Sequence, residues 1–238
     1  RFFNGDVQHL FGNVNTLHYP SADDHPSVAG SRKATTDFVP LLNVFYRRWK
    51  AGAVNIAIKT NRVLDGWVLE SAETSNVGGS LNSTVNTIRL GDDAQNRQYR
   101  AVLSFNTAIL PDDAVILSAM LKIRRSTLVG TEPFNTHGVL RVDFNLGAYN
   151  GSAVLEAADF KAIATQPGVT TFNKIHMMQW HNALLKSANY NLINLTGLTQ
   201  VRLRFSTDDN NDSGADYRLF YSGDSAYKPV WWITYYDP

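Results

Sequence analysis

From residue 54 onward, apolar and polar residues alternate with a period of two, in runs broken by clusters of Gly, Asn, Asp and Ser. Successive side chains of an extended strand point to opposite faces, so this rhythm selects strands with one buried face. Val54, Ile56 and Ile58 open the series, and a second run lies between Val63 and Glu70. Thr87–Leu90, Tyr99–Phe105, Ala114–Arg124, Val139–Leu146, Val201–Phe205 and Val230–Tyr236 follow. About seven short strands with turn signals between them predict a mainly β fold, an antiparallel, jelly-roll-like β-sandwich. In Tyr99–Phe105, residues 99, 101, 103 and 105 are expected on one face and Arg100, Val102 and Ser104 on the other. Two helical insertions are expected, over Ala157–Ala164 and His176–Ala188. No repeat of solenoid length is present.

Residues 1–50 read differently. His25-Pro26-Ser27 can open a helix, with Ser27 as its N-cap. Phe38, Leu41, Leu42, Phe45 and Trp49 then recur at spacings of three and four, one helical face. Pro40 predicts a kink or a break into two helices, and Gly52 is the expected stop. The division expected is a helical amino-terminal segment over 1–50, a linker or extra strand over 51–68, and a sandwich over 69–238.

Composition narrows the chemistry. The chain has 238 residues, 22 basic and 21 acidic, and a formal charge of +1, with no basic block. That balance argues against a nucleic-acid surface. The absence of cysteine excludes disulfides, thiolate catalysis and Cys-ligated metals. No apolar run approaches the length that spans a bilayer. The chain opens on Arg1 rather than Met, which predicts a processed product or a piece of something longer.

Two stretches carry family resemblances. Ile88-Arg89-Leu90-Gly91, Tyr99–Phe105, Leu110-Pro111-Asp112-Asp113-Ala114 and Leu117–Ile123 together resemble the DNRLRE-type module, also described as the family 96 carbohydrate-binding module. That family's LRFD is here Leu103-Ser104-Phe105-Asn106. Phe205–Asn210, Phe220–Asp224 and Lys228-Pro229 are similar to its closing motif. The resemblance covers about residues 69–238. It implies an extracellular or cell-surface β-sandwich with a binding or structural role. Thr16–Gly30 resembles the last block of SGNH (GDSL-type) hydrolases, where an Asp and a His precede Pro-Ser-x-x-Gly. The family's Asp-x-x-His would place its Asp at Ala22, and the sequence offers Asp23-Asp24-His25 instead. The resemblance implies that Asp23, Asp24 and His25 are candidate remnants of a catalytic set whose nucleophile block is missing. Residues 1–50 then read as the tail of an esterase, and catalysis by this chain is not expected. Gly223-Asp224-Ser225 spells the nucleophile tripeptide but lacks the strand-to-helix elbow, so Ser225 reads as a turn residue.

Asp208, Asn210 and Asp212 alternate, with Asp216 beyond, which suits either a calcium loop or a solvated Asx-rich turn. Trp67, Trp180, Trp231 and Trp232 are candidates for a sugar-stacking platform or for core and interface packing. Neighbouring on a strand, Trp231 and Trp232 must face opposite ways. The histidines lack a zinc-hydrolase pattern, and His176 and His181 read as surface or capping residues. Asn82, Asn150, Asn194 and Asn211 begin glycosylation sequons. The expected function is non-catalytic carbohydrate binding or attachment to a surface or matrix, with polysaccharide as partner and calcium as the one candidate ion. The alternatives are a self-assembling fibre subunit, using Phe38, Leu41, Leu42, Phe45 and Trp49 as the contact between copies, and a clipped SGNH esterase.

Overall fold

The structure, a computed structural model, describes the backbone of residues 2–3, 6–7, 10–11 and 14–15, and of residues 28–237, with side chains over 28–47 and 52–237. It divides into two compact units, one within residues 1–52 and one spanning Ala53–Asp237. In the first, two minimal hairpins pair Phe2–Phe3 with Asp6–Val7 and Leu10–Phe11 with Val14–Asn15. One helix, α1, runs Val28–Ala51 with Pro40 inside it. The expected break at Pro40 does not occur. Proline removes one backbone bond, and the turns on both sides are long enough to propagate through that loss. Gly52, at φ +70°, ends the helix in the left-handed region that glycine enters without penalty. The residues expected to cap it, and Asp23, Asp24 and His25, lie outside the described residues.

The second unit is mainly β, as the alternation predicts. Its strands are β1 (Val54–Lys59), β2 (Gly66–Glu70), β3 (Gly78–Asn82), β4 (Thr87–Asp92), β5 (Gln98–Asn106) and β6 (Val115–Val129). Then come β7 (Leu140–Leu146), β8 (Gln166–Thr171), β9 (Trp180–Leu185), β10 (Leu198–Phe205), β11 (Tyr217–Tyr221) and β12 (Val230–Tyr236). The ladder runs β8-β7-β10-β5-β4-β11-β6-β12-β1, with β9 also on β6 and β2 joining β3 to β5. All named pairs are antiparallel. The long β6 belongs to both layers. Its first part, to Arg124, pairs with β9 and β12, and from Arg125 it pairs with β11, with an irregularity between Arg125 and Leu128. Irregularities of this kind bend a strand and raise its twist, which turns the ladder over on itself.

The main core lies between the layers. Trp231 of β12 is 1% exposed, and its ring centre lies 6.1 Å from Phe105 and 5.6 Å from Phe144 of the opposing layer. Burying rings of this size contributes about 1.5–3 kcal/mol each. Tyr99, Ala101, Leu103 and Phe105 are all buried, and the last three join this core, as the β5 alternation requires. Val102, from the other face, packs with Val68, Tyr149, Leu155, Phe160 and Ala162 in a smaller second core. Asp143, fully buried, accepts from Arg202 (3.0 Å) and Arg204 (2.8 Å). Arg202 also donates to the carbonyls of Asp159, Phe160 and Ala162 at 2.8–3.2 Å, which fastens residues 159–162 to the layer.

Of the linker or extra strand expected over 51–68, residues 54–59 form a strand paired with the last one. Other elements differ from expectation. β3 and β8, rich in Gly, Ser and Gln, carry no alternation and go unpredicted. The insertion expected at 157–164 shrinks to a 3₁₀ turn over Ala157–Phe160. The helix expected over His176–Ala188 is instead β9 followed by a 3₁₀ turn over Ser187–Leu192. Met, Gln, Ala, Leu and Lys favour helix locally, but His181, Ala183 and Leu185 alternate with Trp180, Asn182 and Leu184. Pairing along β6 settles the conflict.

Candidate functional site

The outer face of β9, β6, β12 and β1 gathers the exposed aromatic side chains of the sandwich. β6 buries Ala119, Leu121 and Ile123, so Met120, Lys122 and Arg124 point outward. The register sets Trp180 beside Arg124, Asn182 and Val230 beside Lys122, and Leu184 and Trp232 beside Met120. Trp232 is 46% exposed while its neighbour Trp231 is core, which is the opposition the sequence requires. Lys122 Nζ lies 5.5 Å from the ring centres of both Trp180 and Trp232, so one ammonium bridges two indoles. Arg124 lies over Tyr227 at 3.6 Å. Such contacts hold the long cations close to the surface and order the rings. Ser118, Thr234 and Asn55 continue the face with hydroxyl and amide groups, joined by Thr234 Oγ1 donating to Asn55 Oδ1 at 2.7 Å. These four strands contain no Asp or Glu.

The other tryptophans lie apart from this face. Trp67, half-buried, stands edge-on to Tyr99 at 5.3 Å. Arg89 is stacked at 4.9 Å from Trp67 and 5.3 Å from Tyr217, and it donates to the Tyr99 hydroxyl at 3.0 Å. That cluster packs and braces. Of the tryptophans singled out by sequence, the structure therefore brings two together, Trp180 and Trp232.

A hollow of about 340 Å³ opens beside the start of β9, lined by Arg125, Glu132, Phe134, Lys174, Ile175, His176 and His181. His181 is 2% exposed rather than a surface residue, because it follows the inward alternation of β9. Its ring stacks on Phe134 with centres 4.9 Å apart and planes 3° from parallel. Burial holds the imidazole below its ordinary pKa, and Nδ1 donates to the Asn173 carbonyl at 2.8 Å. His137 is likewise buried, with Nε2 3.3 Å from Asp92 Oδ1.

In the acidic loop, Asn210 Nδ2 donates to both Asp212 and Asp216 at 2.9 Å, while Asp208 is exposed and outside that network. Asn211 and Gly214 amides close Asx turns on Asp209 and Asp212. No group of three or more His, Asp or Glu suited to a metal occurs among the described residues. Ser225 sits in a turn, its Oγ donating to the Ser222 carbonyl and accepting from the Tyr227 amide. In α1, Phe38, Leu41, Leu42 and Phe45 are exposed, each by more than half; the Trp49 side chain lies outside the described residues. No described helix is long and apolar enough to cross a membrane.

Fold and surface together define a mainly β sandwich with an aromatic, basic outer face. Among solved structures, the chain is similar to a xylan-binding module CBM15, at 14% identity and a TM-score of 0.36, over 76% of this chain and 97% of that one. The xylan in that description is the neighbour's ligand. No protein-family model matches the chain, and no curated protein matches it, so the DNRLRE and SGNH resemblances rest on their motifs alone.

Proposed function

We propose that this chain is a non-catalytic polysaccharide-binding module that works outside the cell, on a surface or matrix, and that the glycan lies across the outer face of β9, β6 and β12. The observation that carries this reading is the pair Trp180 and Trp232 held on one sheet face by Lys122. A sugar ring offers C–H groups to the electron-rich face of an indole and hydroxyls at its rim. An aromatic platform flanked by Lys122, Arg124, Asn182 and Thr234 meets both needs. Co-sedimentation with a panel of insoluble polysaccharides is the test. Trp232→Ala and Trp180→Ala are each expected to weaken retention at least tenfold while leaving the melting temperature within a degree or two, since neither ring fills the core. Retention unchanged in both variants overturns the proposal.

A second reading is favoured by α1. Phe38, Leu41, Leu42 and Phe45 form an exposed seam at the spacing by which helices pair with one another. We propose that a second copy of α1 covers it, which would make the chain a self-assembling subunit as well as a binder.

A further inference from the structure

We propose that the hollow beside β9 is a separate sugar site that takes a single uncharged pyranose, the end or a side branch of a glycan rather than the run of its chain. This rests on the reading of the protein as a polysaccharide binder, but on different residues. Glu132 gives one carboxylate oxygen to Arg218, and its other oxygen, Oε1, is buried without a hydrogen-bond partner in the protein. His176 Nδ1 is in the same condition. Both residues line the hollow, and a buried polar atom left unpaired costs free energy that a bound hydroxyl would recover.

The floor suits the same ligand. Phe134 and His181 lie stacked on one another and both line the hollow, so their rings give it an apolar, fixed wall for a sugar's C–H groups. Arg125 is fixed by a hydrogen bond from its Nε to Gln179 Oε1, and Lys174 stands on the rim as a further donor. The hollow thus holds an acceptor, donors and apolar wall already in place, so little ordering remains to be done on binding.

Other occupants fit less well. A wholly apolar ligand would leave both orphan atoms unpaired, and an anion could not donate to the orphan oxygen of Glu132 as a sugar hydroxyl can. At about 340 Å³ the space is at the small end of ligand sites, which suits one ring and not an oligosaccharide. Trp180 and His181 are consecutive on β9 and so face opposite sides of it, which keeps the hollow distinct from the outer aromatic face.

Free glucose, galactose, mannose, xylose and arabinose are the probes, titrated into the full chain while the imidazole signals of His176 and His181 are followed by NMR. One or more of them is expected to shift both signals, with saturation at about 1–10 mM. His176→Ala, in a half-exposed loop, is expected to weaken that binding at least fivefold, and Glu132→Gln to do the same if it folds. Trp232→Ala is expected to leave it unchanged. Failure of every sugar to move either signal overturns the inference while leaving polymer retention by Trp180 and Trp232 intact. Loss of polymer retention in neither Trp variant, with monosaccharide shifts still present, instead removes the outer face and keeps the hollow. Saturable shifts that persist undiminished in His176→Ala overturn the assigned site.

Discussion

Asp143 shows how much can depend on one side chain. It is fully buried, between two guanidinium groups, and also accepts from the Gly168 amide at 2.8 Å. Burial alone would raise its pKa, but the hydrogen bond from Arg204 and the charges of Arg202 and Arg204 outweigh it and hold the carboxyl below its ordinary range. Asp143→Asn leaves Arg202 buried without its counter-charge, and urea denaturation is expected to show a loss of about 3 kcal/mol. Asp65 is the opposite case. It is 1% exposed, and burial pushes its pKa up to about 7, although the Gly223 amide donates to it. The folded state therefore holds this proton more tightly than the unfolded chain, whose carboxyl titrates near 3.8. Its contribution is complete below that value and is lost as pH rises through 7. Thermal unfolding from pH 5 to pH 8 is expected to show a falling melting temperature in the parent chain, by an Asp65 contribution on the order of a few kcal/mol. Asp65→Asn, which keeps an acceptor for Gly223, is expected to flatten that fall; an unchanged slope would contradict the assignment.

At the scale of elements, the turn into β9 is held together against its own sequence. Met178 and Gln179 both have positive φ, +48° and +74°, inside a two-residue hairpin closed by reciprocal bonds between Met177 and Trp180. That is the turn that Asn-Gly makes at little cost. Met178→Asn with Gln179→Gly is expected to raise stability by about 1 kcal/mol, read as a higher denaturation midpoint. The same mismatch explains why this region was opaque to sequence reading. With no Asn-Gly to mark a hairpin and with strong helix formers through 177–186, local signals point to helix. The partner that decides, β6, lies more than fifty residues earlier. β5, β6 and β12 were legible because core residues recur at every second position, 101, 103 and 105 in β5, 119, 121 and 123 in β6, and 231 and 233 in β12. The division of Trp231 from Trp232 was legible too, from strand geometry alone. That Trp180 joins Trp232 was not, because their common neighbour Lys122 is set by register across three strands. The orphan atoms of Glu132 and His176 were equally hidden, since burial without a partner leaves no trace in sequence.

At the scale of the molecule, the charges sort themselves by place. A chain of net charge +1 keeps Lys59, Lys122, Arg124 and Arg125 on strands that carry no acid, while Asp92, Asp93, Asp209, Asp212 and Asp216 gather elsewhere. The seam on α1 belongs to this scale as well. Sedimentation velocity of the full chain is expected to show concentration-dependent association, and Leu42→Asp with Phe45→Asp is expected to abolish it without lowering the melting temperature of the sandwich. A parent chain that stays monomeric at every concentration ends the assembly reading.

The closing strand sets a schedule for making the molecule. β12 lies between β6 and β1, pairing residues 54–59 with 230–235, and it brings Trp231 to the centre of the main core. On a ribosome β1 therefore emerges about 170 residues ahead of its partner and waits with a bare edge, and the two layers have no central ring to meet around until residues 230–236 appear. Long-range pairing of this kind is slow and leaves apolar edges open to other chains. Fragments stopped short of residue 230 should be digested by protease or captured by chaperones, and protection should arrive in one late step.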